Sequence, residues 1–433
     1  MSLSKPRGLP HLGLRLSAAK QFMPLTAVIV ATLAGAVAEF VLMLTMPWYV
    51  YATTGSAFLS GLALTAQLAP PAAARLLAGP AVVDRLGLRL TAALAAAIQL
   101  SCIIVVAVLV AVDGLAIPVL LALLALVGAA GGVGTLAKDL LAPVGARYVG
   151  VAEGRGISLS AVVLTAGQLF SPSLGAFLAP FALTGLVVVA ALFAVNALVA
   201  GLALPRGMEP EPVRAASGYW KSQGEGFKYF FGNGLLVRLH LTLAFVEFLV
   251  APMNGVFLPV WAKETGAGPG ALQALASAAA VGGVVGSLVA VYVVERVRPS
   301  VVLSVACGLI VPQLLALALT APFPVMVAAW AVCGFAGALI LAETGKLSYG
   351  LPAEEFRSRA KAISGASIRA GSALGGSVWG AVVGASGLTV LIAPAVLFTL
   401  VAQGTVFRKD FRAITPQVDE APKERAEVKE PTG

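Results

Sequence analysis

Read for polarity alone, the chain is a series of long apolar stretches broken by short charged gaps. About 20 apolar residues are needed to cross a bilayer as a helix. Twelve stretches qualify: 22–50, 57–83, 90–112, 115–137, 157–179, 182–204, 236–261, 268–294, 300–320, 324–344, 361–385 and 387–407. The pattern predicts an all-α membrane protein with twelve transmembrane helices in two bundles of six. The first stretch is longer than the apolar core of a signal peptide, about 7–15 residues, and reads as an uncleaved first span. The remaining segments divide the chain into 1–21 (an N-terminal segment), 22–204 (a first bundle), 205–235 (a linker), 236–407 (a second bundle) and 408–433. The last is rich in Glu, Lys and Pro and is expected to be disordered. In the linker, Trp220, Phe227 and Phe230 alternate with basic residues. That pattern suits either a short helix lying in the membrane interface or a plain connection.

Composition sharpens this picture. The chain is 59% hydrophobic and 11% charged, against about 25% charged in a soluble domain, so lipid rather than water is its solvent. A net charge of +9 would otherwise suggest a nucleic-acid partner. All but three of the 29 Lys and Arg, however, lie in gaps on one side of the predicted membrane. Lys263 lies on the other side, and Arg75 and Arg369 fall within spans. This bias predicts a cell-membrane protein with both termini in the cytoplasm and no nucleic-acid partner.

Several chemistries have too little to work with. Cys102, Cys307 and Cys333 are isolated within apolar runs, and His11 and His240 are the two histidines. No metal site, disulfide framework or hydrolytic triad is expected from such a set. Gly345-Lys346 is followed by Leu347 and lacks the glycine five residues upstream, so it is not a phosphate loop. No cofactor and no enzyme activity are therefore expected. The gaps are too short for a soluble receptor module, and a monomer is expected.

The two bundles repeat one another. Asp84-Arg85 recurs as Glu295-Arg296, 211 positions on, and Gly55 recurs as Gly266 at the same spacing. Arg155, Gly167 and Ser173 recur as Arg359, Gly371 and Ser377 at a spacing of 204. Repeats in the same orientation are a transporter architecture. The segment Asp84-Arg85-Leu86-Gly87-Leu88-Arg89 resembles the loop between the second and third helices of the major facilitator superfamily. Pro47–Ser56, Glu225–Phe231 and Leu351–Ala360 are similar to the efflux branch that includes siderophore and macrolide exporters. One position departs: the family loop opens with Gly four residues before the Asp, where this chain has Pro80. The resemblance implies a latch on the cytoplasmic side built from Asp84, Arg85, Gly87 and Arg89, with a weaker copy at Glu295 and Arg296. Arg298 stands where the copy would need the equivalent of Gly87.

Ionisable groups within a membrane are costly, about 2.5–3.5 kcal/mol each even on the lenient insertion scale, and so are candidates for function. Glu39 in the first span shares a helical face with Met43 and Met46. Glu247 in the seventh shares one with Asn254. Two acids on equivalent helices suit a carrier that binds and releases protons. Arg369 either binds an anionic solute or neutralises an acid. Arg75 either snorkels to the interface or pairs with Asp84. Glu343 and Lys346, at i and i+3, are expected to form a local ion pair. Gln67, Gln168 with Ser171, and Gln313 either contact the solute or join helices. Gly128/Gly132, Gly282/Gly286, Gly371/Gly375 and Gly376/Gly380 have the spacing that lets helices approach closely.

These residues predict a proton-coupled secondary transporter, an exporter of lipophilic small molecules such as drugs or siderophores. An uptake carrier or a lipid flippase on the same fold fits the same residues. A polytopic membrane enzyme would need a polar cluster near one surface, which the sequence does not offer.

Overall fold

The computed structural model describes residues 11–151, 153–203, 219–353, 357–393 and 395. The chain is helical throughout these segments. In the first half the helices are α1 His11–Thr54, α2 Ala57–Leu77, α3 Gly79–Leu86, α4 Leu88–Ala111, α5 Ile117–Tyr148, α6 Glu153–Leu178 and α7 Ala182–Leu198. Helix α8, Tyr219–Gly232, leads into α9 Gly234–Pro252, α10 Leu258–Thr265, α11 Pro269–Arg296, α12 Pro299–Gly308, α13 Val311–Ala318, α14 Phe323–Gly350 and α15 Arg357–Ser386.

Among the described residues, nine helical segments are long and apolar enough to cross a membrane. Two further predicted spans are the long helices α6 and α15. Glycines, serines and Arg369 dilute the hydropathy of α15. Most of the twelfth predicted span, 387–407, lies outside the described residues, as do the tail, residues 204–218 of the linker and the Trp220 side chain. The linker's described part is a helix, α8. Its Phe230 is buried against Leu236 and Ile363, and its Tyr229 hydroxyl accepts a hydrogen bond from the Ala353 N–H at 2.9 Å.

The two halves follow the same plan. Ser56 caps α2 by accepting from the Leu59 N–H, after the left-handed Gly55 (φ 68°). Gly266, 211 positions on, turns the chain into α11 with φ 66°. Both turns need a residue without Cβ. Proline opens α5 and α14 alike in the first turn, where a missing N–H costs nothing. One half differs at its charged turn. Between α3 and α4 the chain turns at Gly87 with φ 78°, whereas Arg298 before α12 has φ −60°.

Each half has its own core, built around Phe193, Ile103 and Leu124 in one and Trp330, Phe257 and Leu314 in the other. Large apolar residues such as Val281, Leu288 and Val291 are exposed on the outside, as expected where lipid is the solvent. All four predicted glycine pairs sit at helix crossings. A Cβ at Gly282 or Gly286 would overlap the carbonyl groups of Ala331 or Phe335 on α14. At Gly128 and Gly132 it would strike Gln67 and Pro71 on α2, and at Gly371 and Gly375 it would strike α9. Gly376 and Gly380 press on Gly61 and Ala57, which brings α15 of one half against α2 of the other.

Candidate functional site

The cross-half contact between α2 and α15 lies near the start of α2, at the face opposite the basic turns. There Ser60 Oγ lies 2.8 Å from the Pro47 carbonyl and 2.7 Å from that of Gly255. Thr65 donates to the Ala373 carbonyl at 2.6 Å. Lys263, the cation expected on that side, lies 5.1 Å from the centroid of the Tyr51 ring. Hydroxyls aimed at backbone carbonyls, packed glycines and a cation–π contact close this end.

Beneath the closure is a cavity of about 570 Å³ between the halves. It runs from Glu39 and Met43 on α1 to Ser287, Thr344 and Gly365, close to the basic ends of α11, α14 and α15. Its walls are mostly apolar, with Phe40, Leu68, Val246 and Trp330 among them. The polar groups that reach it include Glu39, Gln67, Glu247, Asn254, Gln313 and Arg369. The candidates read from the sequence at Glu39, Glu247, Asn254, Arg369, Met43 and Gln67 therefore meet at one surface. Met46 does not. It is fully buried in the core of the first half with residues of α4, α5 and α7, one residue before Pro47, whose carbonyl belongs to the closure and not to the cavity. The Gln168 side chain lies outside the described residues.

Each acid has its own support. Glu39 Oε1 accepts from Gln99 Nε2 at 3.2 Å, and Gln99 also lies 3.3 Å from the Val127 carbonyl. Lys138 on α5 is within electrostatic reach of Glu39. Close packing makes this possible: the Glu39 carboxylate lies over Gly131, and the Lys138 ammonium over Gly35 beside the Asn196 amide. Glu247 Oε2 accepts from Ser372 Oγ at 2.9 Å, and Arg369 is within electrostatic reach. Arg369 thus lies near an acid, but the two form no ion pair among the described residues. Asn254 lies in a π-helical turn, Met253–Phe257, that joins α9 to α10. Such turns are common where a helix lines a functional site.

Three readings change. Lys138 and Asp139 belong to no loop, since α5 runs on to Tyr148. Arg75 pairs with Asp139, at 2.7 Å, and not with Asp84. Glu343 and Lys346 form no local ion pair. Lys346 Nζ instead donates to the Val294 carbonyl at the end of α11, at 2.6 Å. Glu343 is fully buried, and neither carboxylate oxygen has a hydrogen-bond partner among the described residues. A free helix-terminal carbonyl outcompetes a side chain one turn away, and it lets the ammonium stay partly solvated.

Asp84 and Arg85 are exposed on α3, and Glu295 and Arg296 are exposed at the end of α11. Arg89 donates to the Gly201 carbonyl, and Arg296 lies over the Tyr292 ring. The residues missed in the sequence are Gln99, Lys138, Asp139 and Ser372. The repeat held a signal for two of them. At the spacing of 204, Asp139 stands over Glu343 and Gln168 over Ser372.

Comparison with known proteins agrees with this architecture. The family model described as the Major Facilitator Superfamily matches residues 240–431. The multidrug efflux pump Tap of Mycobacterium tuberculosis is 26% identical over 317 residues, 72% of this chain and 75% of the pump. The crystal structure of the nucleoside transporter NupG superposes with a TM-score of 0.70 at 15% identity, covering 89% of this chain and 100% of that one. A bacterial homologue of the lysosomal transporter Spinster, inward-facing and unoccupied, gives 0.64 at 16%, covering 90% and 96%. In its two-bundle helical fold, and over residues 240–431 in its sequence, the chain is similar to the major facilitator superfamily, a family of multi-pass membrane transporters of small molecules.

Proposed function

We propose that the protein is a proton-coupled exporter of lipophilic small molecules, working by alternating access. The observation that carries this reading is the pair of acids, Glu39 and Glu247, one from each half, on a single largely apolar cavity. An apolar wall with few polar groups holds a lipophilic solute without demanding one hydrogen-bond pattern. Thioether and aromatic lining from Met43, Met253 and Trp330 adapts to solutes of different shape.

The carboxylates supply the coupling. In a site closed from water the ionised form is disfavoured, so a proton is taken up. As Arg369 or Lys138 approaches or water enters, the proton is released. The closed weakly charged face and the reach of the cavity toward the basic ends correspond to an inward-facing state. Exchange with an outward-facing state would come from rocking one half on the other along the glycine contacts of α2 and α15. The resemblance to a multidrug efflux pump of M. tuberculosis supports the export reading.

The test is transport in proteoliposomes, with lipophilic drugs, siderophores and lysolipids offered under two opposite pH gradients. Efflux that follows the proton gradient, and is lost in Glu39→Gln and Glu247→Gln while both variants insert normally, is the expected result. Nucleoside uptake, lysolipid transfer or gradient-independent exchange would replace this reading.

A further inference from the structure

The repeat places two acids at equivalent positions on equivalent helices, Asp139 on α5 and Glu343 on α14, 204 positions apart. Their surroundings differ. Asp139 has Arg75 at 2.7 Å. At the spacing of 211 that relates α2 to α11, Arg75 is replaced by Gly286. Gly286 is pressed so closely on the backbone at Phe335 that no side chain fits there. The second half therefore has the acid but no cation at the position equivalent to Arg75, and Glu343 is buried with neither oxygen hydrogen-bonded among the described residues.

The groups on neighbouring elements do not supply a replacement. Helix α14 packs on α11, α12, α13 and α15. On α11, Glu295 and Arg296 are exposed, with Arg296 over Tyr292, which is also exposed. Arg298, just before α12, is exposed, and α12 itself offers the buried thiol of Cys307. Helix α13 has no titratable residue. On α15, Arg369 lies within electrostatic reach of Glu247, and the side chains of Arg357, Arg359 and Lys361 lie outside the described residues. On α14 itself Cys333 lies nearly three turns away and lines the cavity, the Tyr349 side chain lies outside the described residues, and Lys346, within electrostatic reach of Glu343, has its ammonium hydrogen-bonded to the Val294 carbonyl.

An isolated carboxylate is not stable in such a place, whereas the neutral acid is. We propose that Glu343 is a proton-binding site of the second half, occupied in this conformation and emptied when Lys346 turns from the Val294 carbonyl to the carboxylate. In that step the carboxylic O–H bond breaks, the proton passes to water, and the carboxylate is left paired with the ammonium. No other reactant is needed. Because Lys346 holds the end of α11, where the second charged turn begins, its release couples proton loss at Glu343 to movement of that turn. The site is distinct from the cavity acids and does not depend on what the cavity carries.

The experiment is a pH titration of the purified full-length protein in nanodiscs, following bound protons and the infrared band of protonated carboxyl groups. Relative to wild type, Glu343→Gln is expected to lose a single proton per chain and a single component of that band. That component is expected to remain in Glu39→Gln and Glu247→Gln. A folded Glu343→Gln protein with the full proton count and band overturns the site. Lys346→Met provides the second measurement and leaves the acid itself in place. Its Glu343 component should persist to higher pH than in wild type, and an unchanged titration overturns the lysine exchange. Neither readout involves transport, so failure here is distinguishable from failure of the exporter reading.

Discussion

The two halves share a plan and differ in how they treat charge. In the first, buried and half-buried charges come in company: Arg75 with Asp139, and Glu39 with Gln99 and with Lys138 in reach. In the second, Glu247 is held by Ser372 with Arg369 in reach, while Glu343 has Lys346 in reach but no hydrogen-bond partner among the described residues. The cation near each cavity acid also comes from a different helix, α5 in one half and α15 in the other. A duplicated fold can thus keep its helices and seams and still give its halves unequal electrostatics. In the proposed carrier a proton would then act differently on the two halves.

The strongest way to break this comparison is at the cavity acids. Glu39→Gln and Glu247→Gln are both expected to abolish gradient-driven transport. Arg369→Ala is expected to act on the second half alone, altering the pH profile of transport through Glu247. Transport pH profiles of the three variants test this. A profile for Arg369→Ala identical to wild type would mean that Glu247 does not depend on its neighbouring cation.

The next effect is steric. Gly282 on α11 and Gly128 on α5 lie at equivalent crossings, but the α11–α14 seam is the tighter. Gly282→Ala forces a Cβ into the Ala331 carbonyl and is expected to cost about 3 kcal/mol, the upper end of overpacking. Gly128→Ala meets Gln67 O and Pro71 Cδ at 2.9 Å and is expected to cost about 1 kcal/mol. Thermal unfolding in detergent ranks them, and the opposite order would show that the first half's seam is the rigid one.

Smaller still is the paired acid. Arg75 and Asp139 are 31% and 44% exposed, so solvent screens them. Asp139→Asn is expected to cost about 1 kcal/mol or less. Glu343→Gln, which replaces a neutral buried acid by a neutral amide of the same shape, is expected to cost no more than that. A double-mutant cycle on Arg75 and Asp139, beside the single Glu343 variant, measures the contrast directly.

Much of the fold could be read in advance, because apolar runs of spanning length and a repeated turn are local properties. The meeting of Glu39 and Glu247 was also legible, since an acid within a span has few other uses. Partner choice was not. The spacing of Glu343 and Lys346 suits an ion pair, but the ammonium found the Val294 carbonyl 52 residues away. Arg75 stood nearer in sequence to Asp84, yet Asp139 on a packed neighbouring helix captured it. Lys138 and Asp139 looked like the start of a loop because charge interrupts hydropathy, whereas α5 continues past them. Each miss has one cause: a long side chain bonds to whatever tertiary packing brings near.

The finest difference lies at the two charged turns. Gly87 turns the first with φ 78°, while Arg298 passes the second in an ordinary conformation. Among the described residues no ion pair holds Asp84, whose turn lies at the basic ends toward which the cavity reaches. On the proposed alternating-access reading, a latch at Asp84 acts in the outward-facing state, so Asp84→Asn should leave thermal stability unchanged while shifting the population further inward. Glu295→Gln should shift it less, because Lys346 already binds the end of α11 through a backbone carbonyl and does not need the carboxylate. Spin labels on the ends of α5 and α14 would follow both populations. A larger shift for Glu295→Gln would place the dominant latch in the second half, and the backbone contrast between Gly87 and Arg298 would then carry no functional weight.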